Sequence, residues 1–524
     1  MENLLFNINM NSIFKNMVLR ILLIFSGVFV FHICLSQTPT YTVDSDFNTG
    51  EIFRDGAPVL DIYIVNDSKY LVGGGFSNLQ VSPVAGFGMI FNNGSFDPNW
   101  GFEYEPNVLE IVATEDGYAF PSISGMGKVN LEGTPWLYIF GSYFCEYTNG
   151  GTNNPYNVER LWDIHQLLNG DLLLGGAIGT DTLQADILRG VTRIHADGSH
   201  DPTFPIINII PNNASGAVRE IFSAPNGSWY ISGSFTAING HETNHVARLN
   251  SDFIVDTTFV SPFMYDGPVG YTEDIILVDE ESRVWVSGYN MRLQENPNDT
   301  IQLCRLMPNG IIDSDFPLVK LQSIYPNEWD WGAKPTHAVQ AKELVAHPGN
   351  YIICGSFSHY NDTLQPCIAV VNYDGIVQSN FFQGHGATVN IPYENTDDIQ
   401  HPGVYDIEQL GNGDLLIGGH FSEFMGETHY SVVKLKLGFV GVEDSDRDGG
   451  IKVYPNPACT YITISLENKK SGMVDILDLS GKQIETHQML NGTLELNITT
   501  YAKGMYFLKM AFKDDVVLRK LIVN

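Results

Sequence analysis

A short apolar strand ending in glycine recurs along most of the chain: "YLVGGGF" (70–76), "YAFPSISG" (118–125), "LLLGG" (172–176), "WYISGSF" (229–235), "VWVSGYN" (284–290), "YIICGSF" (351–357) and "LLIGGHF" (415–421). With Gly74, Gly125, Gly176, Gly233, Gly288, Gly355 and Gly419 as markers, the steps are 51, 51, 57, 55, 67 and 64 residues. A unit of that length cannot bury its apolar face alone and must stack on its neighbours. Length alone would divide 524 residues into three or four domains at roughly 150 residues each. The period instead predicts one repeat body and a remainder.

Behind most markers comes a strand, a turn and an Asp-x-x-aromatic element: "IFNNGSFDPNW" (90–100), "RIHADGSHDPTF" (193–204), "RLNSDFIVDTTF" (248–259) and "RLMPNGIIDSDF" (305–316). The second unit keeps only "KVNLEG" (128–133), and the sixth, "VVNYDGIVQSNF" (370–381), has Gln378 in place of the aspartate. An apolar strand and a turn such as "APNG" (224–227) or "LGNG" (410–413) precede the marker, so each unit is expected to hold four strands. Units of this size predict an all-β fold, a seven-bladed β-propeller. The copies resemble the delta-60 repeat family, which runs from an Asp-Gly turn through a Gly-Gly-x-Phe strand to Arg-Leu-Asn-x-Asp-Gly and Asp-x-Thr-Phe. The resemblance covers 44–438 and is strongest over 193–259.

The first Asp-x-x-Phe, Asp44 to Phe47, precedes every strand that could own it, while the last unit ends at "YSVVKLKLG" (430–438) without one. The N-terminal strand is therefore expected to complete the last unit and close a ring, which removes exposed sheet edges. Asp44, Asp97, Asp201, Asp256 and Asp313 read as structural, bonding turn backbone while the aromatic fills the gap between units.

Residues 451–524 are different. They carry nine Lys+Arg and seven Asp+Glu, whereas the whole chain has 28 against 60 and a formal charge of −32. The acidity lies in the repeat body and the "GVEDSDRDGG" linker (441–450). The C-terminal segment alternates as short strands, among them "YITISL" (461–466), "MVDILDL" (473–479) and "GMYFLKMAF" (504–512), a pattern that predicts a small Ig-like β-sandwich. Its "VYPNPA" (453–458), "LDLSGKQI" (477–484), "YAKGMYFLKM" (501–510) and terminal "RKLIVN" closely resemble the type A C-terminal sorting domain of the type IX secretion system. On that resemblance Tyr454, Pro455, Asn456, Pro457, Gly481, Gly504 and Tyr506 are sorting-motif residues, and the type IX machinery is the expected partner. At the other end, Lys15 and Arg20 followed by the apolar run Ile21 to Cys34 read as a signal peptide over 1–37, too short to span a bilayer at roughly 20 residues. The expected organisation is thus a signal peptide (1–37), a propeller (38–440), an acidic linker (441–450) and a sorting domain (451–524), with no transmembrane segment in the mature chain.

The acidic balance argues against nucleic acid and anionic membrane partners. Five cysteines remain after export, of which Cys354 and Cys367 are near enough in sequence for a local bridge; the alternative is that all five are buried small hydrophobes. Two insertions account for the long steps and are expected on the face opposite the short turns. One contains Tyr325, Trp329, Asp330 and Trp331, the other Tyr393. Aromatics beside carboxylates suit sugar rings or peptides, and the plain alternative is a loop folded onto its own unit. Asp444, Asp446 and Asp448 before Gly449 open like a calcium loop, but Pro455 stands where its closing Glu would be, leaving weak calcium binding or a solvated spacer. No cofactor or nucleophile motif appears. The expected function is an exported, non-enzymatic binding or adhesion module for an extracellular glycan or protein. A hydrolase or lyase with carboxylates meeting at the central channel, or a structural surface component, are the alternatives.

Overall fold

The computed structural model describes residues 39–439 and 451–523, apart from 51–52, 54–57, 77–85, 102–107, 123–124, 134, 141–159, 179–188, 200, 212–215, 265–272, 325–335, 383, 390–400, 455, 457, 459, 467–471, 479–481, 491 and 513–514. The signal-peptide and linker expectations lie outside these residues. The described residues are strands and turns without a helix, and they fall into two compact units, Thr40–Gly438 and Phe439–Asn524.

The first unit is a β-propeller of successive antiparallel sheets. The first sheet takes Val59–Asn66, Lys69–Gly74, Phe87–Phe91 and Phe96–Gly101, and the second Val112–Thr114, Gly117–Ser122, Gly125–Asn130 and Pro135–Phe140. The third begins with Arg160–Gln166, Leu172–Ile178 and Arg189–Ile194, the fourth holds Val218–Ser223, Trp229–Gly233 and Val246–Leu249, and the fifth Glu273–Val278, Val284–Leu293 and Asn296–Leu306. The sixth holds Ala338–Glu343, Asn350–Gly355 and Ile368–Asn372. The last joins Gly403–Gln409, Leu415–His420 and Val432–Phe439 to the N-terminal strand Pro39–Val43, so the expected closure by the chain's beginning is what the sheet contains.

The second strand of each sheet is packed on both faces, as in Leu415–His420, where all six residues are buried. This is why those strands read as continuous apolar runs instead of alternating. The marker glycine has a specific cause. A Cβ at Gly74, Gly233, Gly355 or Gly419 would lie 2.2, 2.1, 2.2 or 2.2 Å from the carbonyl oxygen of Pro58, Ala217, His337 or Gly403, just before or at the start of the neighbouring first strand. Only glycine lets the two backbones approach so closely.

The Asp-x-x-aromatic element is a side-chain and backbone clasp. Asp201, Asp256 and Asp313 donate their backbone N–H to the carbonyls of Arg193, Arg248 and Arg305 at 3.1, 2.9 and 2.8 Å. One carboxylate oxygen accepts the N–H two residues on, from Thr203, Thr258 and Asp315 at 2.8, 2.9 and 3.0 Å, and the other faces the arginine. Phe204, Phe259 and Phe316 are buried in the clusters between sheets.

Two expectations need correction. In the fourth, fifth and sixth sheets the fourth strand is reduced to the single bridges Leu249↔Val255, Leu306↔Ile312 and Val371↔Val377, because the turn of the clasp leaves the sheet immediately afterwards. In the second sheet Gly125 opens the third strand and does not end the second. Cys304, Cys354 and Cys367 are free and buried, so the bridge weighed for Cys354 and Cys367 is not formed.

On one face, small hairpins stand between second and third strands and pair with the chain arriving from the preceding sheet. Phe235–Ile238 pairs with Ile207–Pro211, His359–Tyr360 with Leu321–Gln322, and Glu423–Phe424 with Ala387–Thr388.

The C-terminal unit has one sheet of Ile451–Tyr454, Tyr461–Leu466 and Thr493–Asn497 and another of Gln483–Met489, Gly472–Leu477, Gly504–Phe512 and Asp515–Val523. Ile462, Ile464, Val474, Ile476, Leu508 and Leu521 lie in their shared core. The Asn456 amide donates to the Lys520 carbonyl at 2.7 Å and accepts from the Ile522 N–H at 2.8 Å, clipping the entry segment to the final strand. Gly504, at φ 148, starts the penultimate strand, and the Tyr506 hydroxyl donates to the Ala502 carbonyl at 2.8 Å. Tyr454 is exposed, while Pro455, Pro457 and Gly481 lie outside the described residues.

Candidate functional site

The first strand of each sheet is its innermost. First strands of neighbouring sheets lie against one another, and that of the last sheet lies against that of the first. Each carries near its start, or in the second sheet just ahead of it, an acid or its amide before an aliphatic residue: Asp61-Ile62, Glu110-Ile111, Asp163-Ile164, Glu220-Ile221, Asp274-Ile275, Gln340-Ala341 and Asp406-Ile407. The register slips at this point in Val59/Asp61, Leu161/Asp163, Val218/Glu220, Ala338/Gln340 and Val404/Asp406. A bulge re-aims the side chain there toward the next sheet.

The outcome is a belt of hydrogen bonds. Asp61 accepts the Ile111 N–H at 2.7 Å, Glu110 the Ile164 N–H at 3.0 Å, Asp163 the Ile221 N–H, Gln340 the Ile407 N–H at 2.9 Å, and Asp406 the Ile62 N–H at 2.9 Å. Between the fourth, fifth and sixth sheets the acceptor is a second-strand serine: Ser232 takes the Ile275 N–H at 3.0 Å and Ser287 the Ala338 N–H at 2.9 Å.

Burial pushes the carboxyls of Asp61, Glu110 and Glu220 well above the usual range, and neighbouring carboxylates push in the same direction. These side chains keep part of their surface open, yet protein surrounds them closely, as in a narrow passage. The Glu110 and Asp163 carboxyls lie near enough that Asp163 raises Glu110, adding to its burial. The Asp163 carboxyl is raised by burial, against the bonds from Glu110 and the Ile221 N–H. On the opposite arc Lys342 lies 2.5 Å from Glu408 and 3.7 Å from Asp406. Burial and Asp406 push Glu408 up to about 7 despite that ammonium.

The belt was not among the sequence expectations, which sought carboxylates in loops. Its signal was available in the repeat register, since every acid precedes an aliphatic residue at the same place in its unit. Among the candidates that were named, Tyr325, Trp329, Asp330, Trp331 and Tyr393 lie outside the described residues, as do Asp444, Asp446 and Asp448. The described ends of the first insertion, Leu321–Gln322 and Ala338, run from a hairpin to the start of an inner strand. Among the described residues no three His, Cys, Asp or Glu side chains are arranged to hold a metal. A cavity of about 560 Å³ lies between the turns at Thr114–Glu115 and Gln166–Gly170, at the ends of the two inner strands that follow Glu110 and Asp163.

Residues 452–524 match the family model of the secretion system C-terminal sorting domain, and 224–259 match a domain of unknown function (DUF5122) beta-propeller. A stretch of 83 residues is 32% identical to the ulvan lyase NLR42 of Nonlabens ulvanivorans, and the match spans only 16% of either chain. Among solved structures, PorZ, a surface component of the type-IX secretion system of Porphyromonas gingivalis, is similar at 14% identity and a TM-score of 0.37, over 89% of this chain and 59% of that one. The extracellular domain of the putative hybrid two component system BT4673 from B. thetaiotaomicron is similar at 9% identity and a TM-score of 0.41, over 93% and 60%. The protein is therefore an all-β propeller passenger with a type IX sorting domain, and it is secreted or attached at the outer-membrane surface. Among the described residues no helix is long and apolar enough to cross a membrane.

Proposed function

We propose that the passenger is a seven-bladed propeller acting outside the cell as a non-enzymatic binding or adhesion module, joined by an acidic linker to an Ig-like sorting sandwich that engages the type IX machinery. The observation that carries this reading is the use made of the inner carboxyls. Among the described residues, Asp61, Glu110 and Asp163, all with raised titration, each spend an oxygen on a backbone N–H of the next sheet, which is a structural duty. Binding is then assigned to the face bearing the long connections, with Tyr325, Trp329, Asp330, Trp331 and Tyr393 as contact residues for a glycan or protein. Weak calcium binding at Asp444, Asp446 and Asp448 would stiffen the linker.

A hydrolase or lyase is the second reading, favoured by the neighbouring carboxyls of Glu110 and Asp163, both raised by burial. The match to an ulvan lyase is too short to add to it. The deciding experiment screens the mature chain against immobilised polysaccharides and surface proteins, beside a Trp329→Ala/Trp331→Ala variant. Retention that the variant loses, with no change in ligand size, supports a binding module. Ligand cleavage abolished by Glu110→Gln would replace it with an enzyme.

A further inference from the structure

One position before each belt acid or amide, the fifth sheet carries Glu273, and the other six inner strands carry Leu60, Leu109 and Val339 in the first, second and sixth sheets and Trp162, Arg219 and Tyr405 in the third, fourth and last. All six are half-buried, although the residues two further on, such as Ile62 and Ile221, are buried. The repeat needs no polar group there, as its aliphatic versions demonstrate, so the four departures call for another cause.

The Arg219 guanidinium stacks on the Trp162 ring, 4.3 Å from its centroid. Its Nε is buried and has no hydrogen-bond acceptor. A desolvated guanidinium donor without an acceptor is costly, and the planar fork of arginine matches a carboxylate with two parallel bonds. In the ring proposed above, the last sheet, which carries Tyr405, lies across the axis from the seam between the third and fourth, which carries the Trp162–Arg219 pair. Its hydroxyl is pushed up to about 12 by burial, as expected of a group in a confined mouth.

We infer that the axial mouth formed by Trp162, Arg219 and Tyr405 is a binding subsite for a carboxylate-bearing sugar, with Arg219 taking the carboxylate and the aromatic side chains flanking the ring. The inference rests on the binding-module reading and deepens it. A sugar fits better than a peptide because the carboxyls of Asp61, Glu110 and Glu220, next in sequence or on neighbouring inner strands, can pair with hydroxyls, and burial pushes all three well above the usual carboxylate range. Aromatic faces and hydroxyl-matching groups together are the usual demands of a sugar ring.

The test is calorimetric titration of the mature chain with oligogalacturonate and, as a neutral counterpart, cello-oligosaccharide of equal length. Expected is oligogalacturonate binding that weakens with salt, falls at least tenfold in Arg219→Gln, and falls less in Tyr405→Phe, with thermal midpoints unchanged. Arg219 has no hydrogen-bonded partner among the described residues, so its replacement is not expected to disturb folding. Equal binding of the neutral sugar with no effect of Arg219→Gln would overturn the subsite while leaving the glycan-binding reading in place. Failure of both sugars in a folded chain, or retention of peptides only, would overturn the subsite. Loss in Trp329→Ala/Trp331→Ala with Arg219→Gln unaffected would move the site to the loops and overturn it as well.

Discussion

The backbone N–H of Asp44 donates to the carbonyl of Lys434 at 2.8 Å, and the Asp44 carboxylate lies 3.6 Å from the Lys434 ammonium and 2.7 Å from that of Lys436. This is the arrangement of Asp256 with Arg248 and of Asp313 with Arg305, except that here the two halves come from opposite ends of the passenger. Closure therefore reuses the clasp found within single units.

Asp44→Ala should lower the stability of the first unit by about 1–3 kcal/mol, because it strips a buried clasp of its acceptor. Asp46→Ala, at a carboxylate that is 89% exposed, should change it by less than about 0.5 kcal/mol. Urea denaturation followed by tryptophan fluorescence separates the two. Equal effects would mean that the clasp adds nothing to closure.

Arg305 is fully buried, 2.7 Å from Asp313, and donates to the Tyr373 carbonyl at 2.6 Å. Arg305→Met leaves buried Asp313 with only the more distant Arg283, 3.8 Å away, and should cost about 2–4 kcal/mol, whereas the double variant with Asp313→Asn should recover part of that loss. Lys69→Met, which breaks the more open pair with Asp97, should cost less than about 1 kcal/mol. Thermal midpoints of the four proteins provide the check.

The belt and the clasps respond to pH with opposite signs. Burial raises Glu408 to about 7 and holds Asp61, Glu110 and Glu220 well above the unfolded value of about 4.3 for Glu or 3.9 for Asp, so the folded chain keeps protons that the unfolded chain releases. Stability from this source is complete below the unfolded values and declines as pH rises toward the folded ones. At Asp44 and Asp313 burial is outweighed by backbone hydrogen bonds and by the lysine or arginine beside them, and at Asp256 the Thr258 hydroxyl and Arg248 act together. All three are lowered, so their contribution is lost as pH falls through their folded values. The thermal midpoint should thus peak at about pH 4–6 and decline toward pH 8, with a shallower decline in Glu110→Gln. Parallel curves for the two proteins would remove the belt as the source.

In the sorting domain, Asn456→Ala loses both bonds to the final strand and should destabilise the domain by about 1–2 kcal/mol. Deleting 451–524 should leave the passenger inside the outer membrane of a type IX host. Immunoblots of periplasm and medium give the readout, and unchanged release would contradict the role of the domain.

Much of this architecture was legible because the repeat writes the same chemistry many times. The marker glycines and the Asp-x-x-aromatic elements stood out in sequence, and the stray Asp44 motif pointed to closure. Val255, Ile312 and Val377 were harder to read, since an apolar residue before a turn looks the same whether it ends a strand or makes one bridge. The belt acids were missed because each looks like an ordinary polar residue in a short strand. Only alignment of the inner strands reveals that Asp61, Glu110 and Asp163 occupy one level. Arg219 carried still less signal, as its meaning depends on Trp162, a residue from another sheet.

The pairing of Pro39–Val43 with Val432–Phe439 also fixes the order of events during biogenesis. A ribosome must make nearly the whole passenger before the last sheet has its components, so the longest-range contact in the unit is the last available. Until then the chain presents open strand edges at both ends. Contacts separated by so much sequence form slowly. The terminal clasp therefore bears on how fast the ring closes as well as on its equilibrium stability.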